Sequence, residues 1–465
     1  MLVRSFLRPL AAATASFLAL STLAHAGDVL SHPMARVALA TADAEVVGIV
    51  VEPVGDGSSL VARIASRLSA SQSGLELSYK RTLATGHLLF GASSDSAIAF
   101  STANQIMQDL ANEPGVASVE PDLLMHPMST NDPYWPYLWS YRADRTGIDV
   151  VKAWAHSRGE GVAVAVLDTG ITNHPDLQGQ ILPGYDFISS ASVAGDGNGR
   201  DSNPSDEGDF SSGWPSSWHG THVTGTIAAL AGNGLGVAGV APGAKVVPVR
   251  VLGRGGGSIS DITDGIIWAS GGSVPGVPDN RNPARVLNLS LGGTGACGSL
   301  SSRAINMARA RGSVVVVAAG NENRDASNVT PANCPGTITV AASNPSGGKS
   351  SFSNYGRPVN ITAPGGAGGG GDQANIYSTV NAGQTRPAGP AYAAYAGTSM
   401  AAPHVAAVAA LVLAAAPTLT PDEVQAMLID NVKPLPQPCR QGCGAGLLDA
   451  GATLEAAAQR AVRPS

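Results

Sequence analysis

The chain has 465 residues, of which 44% are hydrophobic and 13% charged, and it contains 57 glycines. This composition is typical of a compact, loop-rich globular protein with two or three domains, and it excludes a disordered chain or a coiled coil. The formal net charge is −6 and no basic run is present, so we expect no nucleic-acid partner.

The first 26 residues have the pattern of a secretory signal peptide. Arg4 and Arg8 supply the positive charge, residues 10–23 form a short apolar run, and Ala-His-Ala at residues 24–26 fits the cleavage site. The apolar run is shorter than the ~20 residues that a membrane span needs. The sequence therefore predicts a secreted protein without a membrane anchor after signal cleavage.

Residues 27–128 are predicted to form a small α+β domain. Their apolar pattern predicts strands at 46–51, 75–81, 87–90 and 116–124, with helices over 60–70 and 97–112. This βαββαβ order is the split-βαβ, or ferredoxin-like, arrangement. The segment contains no catalytic motif and no cofactor signal.

Residues 129–465 are predicted to form an α/β domain. Strands rich in Val and Ala alternate with helices, and the strands are nearly continuous apolar runs. Such strands are typical of a mostly parallel sheet with helices on both faces. The predicted strands are 161–167, 245–251, 286–290, 313–318 and 337–342. Helices are predicted after His219, over 261–269 and 301–311, from Ser399, and over 422–431 and 450–462.

Four polar residues lie at predicted strand or helix ends, where parallel sheets gather their reactive groups. Asp168 and Asn321 each follow an apolar strand, whereas His219 and Ser399 each open a helix. A serine hydroxyl becomes a nucleophile when an imidazole takes its proton and a buried carboxylate holds that imidazole. An Asn amide and a backbone N–H can stabilise the resulting oxyanion.

Each of these residues alone has an ordinary structural explanation, such as a helix cap, a turn or a core histidine. Their joint presence predicts nucleophilic catalysis instead. The residue pattern by itself leaves open whether His219 or His222 is the base.

Three motifs resemble the signatures of the subtilisin-like serine proteases, the subtilases of peptidase family S8. They are residues 163–170, 219–226 and 397–404. Residues 288–293 and 318–321 are similar to the family's substrate-binding and oxyanion segments. The chain order Asp, His, Ser also agrees with this family, and the resemblance covers about residues 132–460.

The resemblance implies a role for each polar residue. Ser399 would be the nucleophile, His219 the general base and then acid, and Asp168 the orienting carboxylate. Asn321 would donate its amide to the oxyanion beside the Ser399 backbone N–H. The implied activity is that of a secreted endopeptidase, acting on proteins and peptides through an acyl-enzyme without a catalytic cofactor.

Residues 27–128 resemble the family's inhibitory propeptide, mainly by pattern. The resemblance implies a zymogen in which this segment templates folding, inhibits the enzyme intramolecularly, and is cut near residues 124–131. We expect a monomer, since the sequence gives no evidence for oligomers.

The substrate is expected to add as an extra strand between two segments of small residues, because such residues allow close backbone approach. No acidic residue clearly points into the expected primary pocket, so we expect a large apolar or broad preference. The predicted substrate-binding residues are Gly255, Gly256, Gly257, Ser290, Leu291, Gly292, Gly293, Ala318, Ala319 and Gly320.

An oxygen-rich turn is a candidate site for structural calcium, which subtilases often bind. Its spacing allows several oxygens to converge, but it lacks the terminal Glu of an EF-hand, and a solvated acidic loop is the alternative. The candidate ligands are Asp196, Asn198, Asp201, Asp206 and Asp209.

Four cysteines, Cys297, Cys334, Cys439 and Cys443, suggest two disulfides in an exported chain. Three pairings are possible, and free thiols are the alternative. We predict Cys297–Cys334 and Cys439–Cys443.

Two other classes of protein are less consistent with the sequence. A lipase or esterase of the α/β-hydrolase fold needs its Asp and His after the Ser, and the only later histidine is His404, on the same predicted helix. A zinc hydrolase would need a His-Glu-x-x-His motif, which is absent. A catalytically silent binding module on the same scaffold remains the alternative.

Overall fold

The computed structural model describes residues 35–39, 46–55, 57–69, 77–92, 98–123, 130–211 and 213–462. These residues form two compact units, one on each side of residues 124–129. The signal peptide predicted at residues 1–26 and most of the predicted cleavage segment lie outside the described residues.

The N-terminal unit has the predicted βαββαβ order, with one short strand added at the sheet edge. Its strands have the order β1-β5-β2-β4-β3, and both helices pack against the sheet around Ile49, Ile64, Phe90 and Met107. The elements are β1 (Arg36–Val37), β2 (Val46–Pro53), α1 (Ser58–Ser69), β3 (Leu77–Thr82), β4 (Leu88–Ala92), α2 (Phe100–Ala111) and β5 (Val116–Leu123).

The C-terminal unit is an α/β domain whose described elements are as follows. They are α3 (Val150–Trp154), β6 (Ala163–Asp168), β7 (Tyr185–Asp186), α4 (Ala191–Ala194), α5 (His219–Ala228), β8 (Lys245–Arg250), α6 (Ile259–Ala269), β9 (Val286–Leu289), β10 (Gly293–Thr294), α7 (Ser299–Ala310), β11 (Val314–Ala318), β12 (Val329–Thr330), β13 (Ile338–Ser343), β14 (Ile361–Pro364), β15 (Ile376–Asn381), β16 (Pro390–Tyr395), α8 (Thr398–Ala415), α9 (Pro421–Asp430) and α10 (Ala450–Val462).

The main sheet has the order β14-β13-β11-β9-β6-β8-β7, and every neighbouring pair is parallel. This confirms the predicted mostly parallel sheet. The sequence pattern missed β7 and β14 and the antiparallel pairs β10–β12 and β15–β16. Strands β7, β10 and β12 are only two residues long and β16 is rich in Ala and Pro, so they lack the β-branched runs that indicate a strand. Strands β14 and β15 do contain Ile and Thr, and the pattern missed them nonetheless.

Both faces of the main sheet are covered, which explains its nearly continuous apolar strands. Because side chains alternate along a strand, Val164 and Val166 face one core with α8, whereas Ala165 and Leu167 face the other core with α6. The two cores therefore fix the register of β6, the interior strand that ends at Asp168.

Helix α8 is the central helix of the C-terminal unit. All of its residues from Thr398 to Leu413 are buried, so it is apolar around its whole circumference. Among the described helices it is the one long and apolar enough to cross a membrane, yet it lies within the protein core. Its composition therefore reflects burial in the core.

Both predicted disulfides are present, and the described residues contain no free cysteine. Cys297 and Cys334 are 37 residues apart in the chain, and their disulfide links the segment after β10 to the segment after β12. Cys439 and Cys443 are only 4 residues apart, in the loop between α9 and α10.

We predict that the two disulfides differ in their contribution to stability. A longer closed loop loses more chain entropy when cross-linked, so removing Cys297–Cys334 should lower the free energy of unfolding by about 4 kcal/mol and removing Cys439–Cys443 by about 2 kcal/mol. Urea unfolding of each Cys→Ser double variant, in a Ser399→Ala background that prevents self-digestion, measures both. Equal losses, or the reverse order, would contradict this ranking.

Candidate active site

The sheet order brings three predicted site segments to one edge. Strands β6, β9 and β11 are consecutive neighbours, and Val166 pairs with Asn288, which in turn pairs with Val316. Parallel strands end on the same side, so Asp168, Ser290 and the segment 319–321 lie together at the carboxyl edge of the sheet.

Asp168 and His219 form a buried pair at this edge. Nδ1 of His219 lies 2.7 Å from Oδ1 of Asp168, which also accepts the Thr169 N–H at 2.8 Å. Helix α5 begins at His219, and a Cβ on the next residue, Gly220, would lie 2.2 Å from the Gly170 carbonyl oxygen. Glycine at 220 therefore lets the helix start close enough for the imidazole to reach the carboxylate.

The surroundings of His219 raise the pKa of its imidazole above the ordinary 6.5. Burial is the largest influence and lowers this pKa, but the charge and hydrogen bond of Asp168 raise it, and Asp209 and Asp206 add to the rise. The carboxylate therefore stabilises the imidazolium, which is what a general base needs from its partner.

His222 points away from Asp168, one turn further along α5. Its Nε2 lies 3.0 Å from the Ile376 carbonyl oxygen, and its ring stacks on Tyr395 with centroids 4.5 Å apart. Burial lowers the pKa of His222 to about 3. The structure thus answers a question that the residue pattern left open: His219 is the histidine paired with the carboxylate.

Ser399 lies in the first turn of α8, and its position is fixed by a hydrogen bond that replaces one missing from the helix. Pro403 has no N–H, so the Ser399 carbonyl oxygen lacks its normal i+4 donor. The Ser290 hydroxyl donates to that carbonyl at 2.8 Å, and the Asn288 amide donates to the Ser290 hydroxyl at 2.9 Å. In this structure the Ser399 hydroxyl donates to the Ser290 carbonyl at 3.2 Å.

Asn321 is fixed against the same helix start. Its Oδ1 accepts the Thr398 N–H at 2.8 Å and the Thr398 hydroxyl at 3.0 Å. The Asn321 carbonyl oxygen is therefore already hydrogen-bonded to the start of α8. The NH2 group of the same amide is the donor that a ligand in the cavity could use. The backbone N–H of Ser399, in the first helical turn, has no intrahelical acceptor.

One cavity of about 740 Å³ joins these residues to the predicted substrate-binding segments. His219, Asn321 and Ser399 all line it, whereas Asp168 is fully buried behind His219. Ala319 is buried beneath the surface, and Gly257 lines a smaller neighbouring cavity instead. The other predicted substrate-binding residues do line the main cavity: Gly255, Gly256, Ser290, Leu291, Gly292, Gly293, Ala318 and Gly320.

The sequence pattern missed two charged residues of this cavity. Glu322 and Arg324 both line the cavity, which extends beyond the expected primary pocket walled by residues 290–293 and 318–320. Oε2 of Glu322 accepts hydrogen bonds from the Asn354 amide at 2.8 Å and the Asn321 backbone at 3.2 Å, and it lies 3.6 Å from Arg324 Nε. Its charge is thus already shared with protein groups, which a sequence position alone does not reveal.

The five predicted calcium ligands do not converge on one point. Asn198 contacts both Asp196 and Asp201, whereas Asp206 accepts the Thr169 hydroxyl and Asp209 accepts the Ser217 hydroxyl. Within the described ranges, no three Asp, Glu, His or Cys side chains are arranged to hold a metal ion. The loop thus divides into a turn at 196–201, the carboxylate of Asp206, which binds Thr169, and the carboxylate of Asp209, which binds the segment before His219.

A serine hydroxyl at a helix start, a carboxylate-bound imidazole and an amide donor are groups suited to acyl transfer, so the fold and the site indicate a serine hydrolase. The subtilase family model matches residues 159–446 of this chain. The chain therefore belongs to the subtilase family.

Individual relatives agree with this assignment. The chain is 49% identical over 408 residues to an extracellular protease of Xanthomonas campestris pv. campestris, covering 85% of this chain and 69% of that protein. It is 45% identical over 402 residues to an extracellular basic protease of Dichelobacter nodosus, covering 82% of this chain and 65% of that protein. The chain thus spans about two thirds of the length of these two relatives.

Among solved structures, a protease from Pseudoalteromonas arctica matches with a TM-score of 0.69 and 50% identity. The match covers 71% of this chain and 99% of that one. The whole of that protease therefore has a counterpart here.

We predict that the pKa values of the two histidines of α5 depart from the ordinary 6.5 in opposite directions, upward for His219 and downward for His222. In a Ser399→Ala variant, nitrogen-15 spectra of the imidazole rings should show His219 losing its proton above pH 6.5, whereas His222 should stay neutral down to about pH 3. Replacing Asp168 with Asn removes the charge that raises the His219 pKa, so that pKa should fall. A His219 pKa below 6.5 with Asp168 intact would contradict the geometry described above.

Proposed function

We propose that this chain is a secreted serine endopeptidase, made as a zymogen, that cleaves proteins through an acyl-enzyme. The observation that carries the proposal is the 2.7 Å contact between His219 Nδ1 and Asp168 Oδ1, on the wall of a cleft that also exposes Ser399 and Asn321. The relatives named as extracellular proteases support both the reaction and the export.

In the proposed reaction, Ser399 Oγ turns from the Ser290 carbonyl toward His219 Nε2, which takes its proton as Oγ attacks the substrate carbonyl carbon. The new oxyanion accepts hydrogen bonds from the Asn321 NH2 group and the Ser399 backbone N–H. His219 then gives the proton to the leaving amine, which departs and leaves the acyl group on Ser399. A water molecule, activated by His219, releases that acyl group by the same steps.

The substrate backbone is proposed to lie as a strand between two edges, Gly255–Gly257 and Ser290–Gly292. Residues 290–293 and Ala318 would then wall the primary pocket. The contacts of Glu322 support a preference for large apolar side chains there, since this carboxylate already has the Asn354 amide and the Arg324 guanidinium as partners.

The N-terminal unit is proposed to be the inhibitory propeptide, cut near residues 124–131. It has its own hydrophobic core, as an independently folding template needs. Parallel sheets pair strands that are distant in sequence and therefore fold slowly, so a template accelerates a step that is intrinsically slow. Export would follow from the signal peptide proposed at residues 1–26, and the mature enzyme is proposed to be a monomer.

We predict that Ser399→Ala abolishes hydrolysis of casein and of peptide anilides while the fold is retained, because no other nucleophile replaces Oγ. Asn321→Ala should lower kcat by ~10²–10³-fold, the effect known for the corresponding donor of subtilisin rather than one derived from this chain. Steady-state kinetics of both variants, with the exposed Ser346→Ala as a matched control, test this. Turnover by Ser399→Ala at the native rate would refute the assignment.

The Ser399→Ala variant also tests the proposal that the chain is made as a zymogen. If the enzyme cuts its own precursor, exported Ser399→Ala protein should keep residues 27–128 attached, whereas the native protein should begin near residues 124–131. Intact mass and N-terminal sequencing separate these cases. A native protein that keeps the N-terminal unit and is fully active would argue against inhibition by that unit.

Structural calcium stays a prediction, and of the five candidate ligands only Asp196, Asn198 and Asp201 lie in contact with one another. Chelation should lower the melting temperature of the native protein, and Asp201→Ala should remove this sensitivity. Differential scanning calorimetry with and without chelator measures both effects, and calcium in excess of the chelator is the control. A melting temperature indifferent to chelator would contradict the prediction.

A further inference from the structure

Asn321, the proposed oxyanion donor, lies in a segment that side-chain packing does not hold. The segment comprises residues 319–324 and follows the end of β11, and its residues 321–323 are all exposed. The Thr398 contacts described above fix the carbonyl oxygen of the Asn321 amide, but they do not fix the backbone on either side of it. An oxyanion donor acts through its position relative to the developing charge, so that backbone needs a support of its own.

The fully buried side chain of Asn354 holds this segment from the inside of the protein. Its amide nitrogen donates to the Ala319 carbonyl at 2.9 Å and to Glu322 Oε2 at 2.8 Å. Its Oδ1 accepts the backbone N–H of Glu322 at 3.1 Å and that of Arg324 at 2.9 Å. Both donors and both acceptor positions of this amide are therefore used on the one segment. They fasten the backbone on each side of Asn321.

The segment is shaped to accept this amide. The backbone N–H of Asn354 donates to the Gly320 carbonyl at 3.0 Å. Gly320 has a φ of +103°, and a Cβ there would lie 2.3 Å from the Asn354 amide nitrogen, so only glycine permits the contact. The backbone N–H of Asn321 donates at 3.2 Å to Glu322 Oε2, the same oxygen that accepts the Asn354 amide. Two hydrogen bonds thus connect Asn354 to the backbone of the proposed donor.

Asn354 is itself anchored to the main sheet. The hydroxyl of its neighbour Ser353 accepts the backbone N–H of Ala342, in β13, at 2.9 Å. The Phe352 carbonyl accepts the backbone N–H of Asn323 at 2.8 Å. Strand β13 pairs with β11, from which the segment leaves, so a rigid element supports the exposed segment through this side chain.

We propose that Asn354 is a positioning residue, which keeps the NH2 group of Asn321 where the oxyanion forms. This inference rests on the proposed function, in which Asn321 stabilises that oxyanion. Asn354 is buried and does not line the catalytic cavity, so it does not contact the substrate. The oxyanion exists only during the reaction, so a misplaced donor lowers kcat and leaves KM nearly unchanged.

The test measures kcat and KM of the mature enzyme on succinyl-Ala-Ala-Pro-Phe-p-nitroanilide. Asn354→Ala should lower kcat by about 10- to 100-fold, less than the ~10²–10³-fold known for loss of the corresponding subtilisin donor. KM should change by less than about 2-fold. In an Asn321→Ala background, the same substitution should change kcat by less than about 2-fold, because no donor remains to be misplaced.

A second variant and a background measurement complete the test. Asn354→Asp keeps the acceptor oxygen and nearly the same shape, and it should also lower kcat, because its second oxygen meets the acceptors at Ala319 and Glu322. Slow variants are matured by tagged native enzyme that is then removed. Ser399→Ala treated in the same way gives the background rate.

Asn280→Ala is the matched control. Asn280 is also a buried asparagine, and its amide donates to the Trp268 and Ala269 carbonyls at 3.2 Å each and accepts the Asn282 N–H at 2.8 Å. It lies between α6 and β9 and does not line the catalytic cavity. Its replacement should lower the melting temperature about as much as Asn354→Ala does, while kcat stays at the native value.

Four outcomes would overturn the proposal. They are a native kcat in Asn354→Ala (or in Asn354→Asp, where the Ala variant is not exported), a raised KM in place of a lowered kcat, an equal loss of kcat with and without the Asn321 amide, and the same loss in Asn280→Ala. The proposed function fails separately: it is wrong if the native enzyme hydrolyses neither this anilide nor casein. A loss of kcat in Asn321→Ala together with a native kcat in Asn354→Ala keeps the peptidase function and refutes only the positioning role.

Discussion

The hydrogen bond between Asp168 and His219 is the interaction on which the site depends. It joins the end of the interior strand β6 to the first residue of α5, and both side chains are buried. Burial by itself disfavours the imidazolium, and only an adjacent carboxylate reverses that effect. This contact therefore has two requirements. The backbone at Gly220 must lie close to the Gly170 carbonyl, and the register of β6 must place Asp168 at the sheet edge.

Ser399, the proposed nucleophile, is held by the core in a comparable way. Helix α8 is buried along most of its length, so its start cannot shift without disturbing both the sheet and the neighbouring helices. The hydrogen bond that Pro403 cannot donate to the Ser399 carbonyl is replaced by one from the Ser290 hydroxyl, and Ser290 also belongs to the proposed substrate edge. The position of Ser399 and the geometry of the substrate strand are thus coupled through one side chain. Rigid elements carry the reacting groups, whereas the loops at 209–217 and 253–257 form the rim of the cleft.

Much of this arrangement followed from the sequence because its signals are local. Long Val-rich and Ala-rich runs predicted β6, β8, β9, β11 and β13, and the polar residues at the strand ends predicted the sheet edge at which Asp168 and Asn321 lie. Where the signal was weak the prediction failed: β7, β10 and β12 are only two residues long, and β16 is rich in Ala and Pro. The acidic turn was predicted as one calcium site, yet spacing along the chain cannot show that Asp206 and Asp209 turn toward Thr169 and Ser217.

The sequence by itself determined which chemical groups are present and on which kinds of element they lie, because side-chain chemistry and hydrophobic period are properties of short segments. The tertiary structure alone decided that His219 rather than His222 meets the carboxylate, and that Glu322 and Arg324 reach the cavity. Those outcomes depend on the direction of a side chain relative to residues far away in the chain. Packing across the sheet fixes that direction, and no local pattern records it.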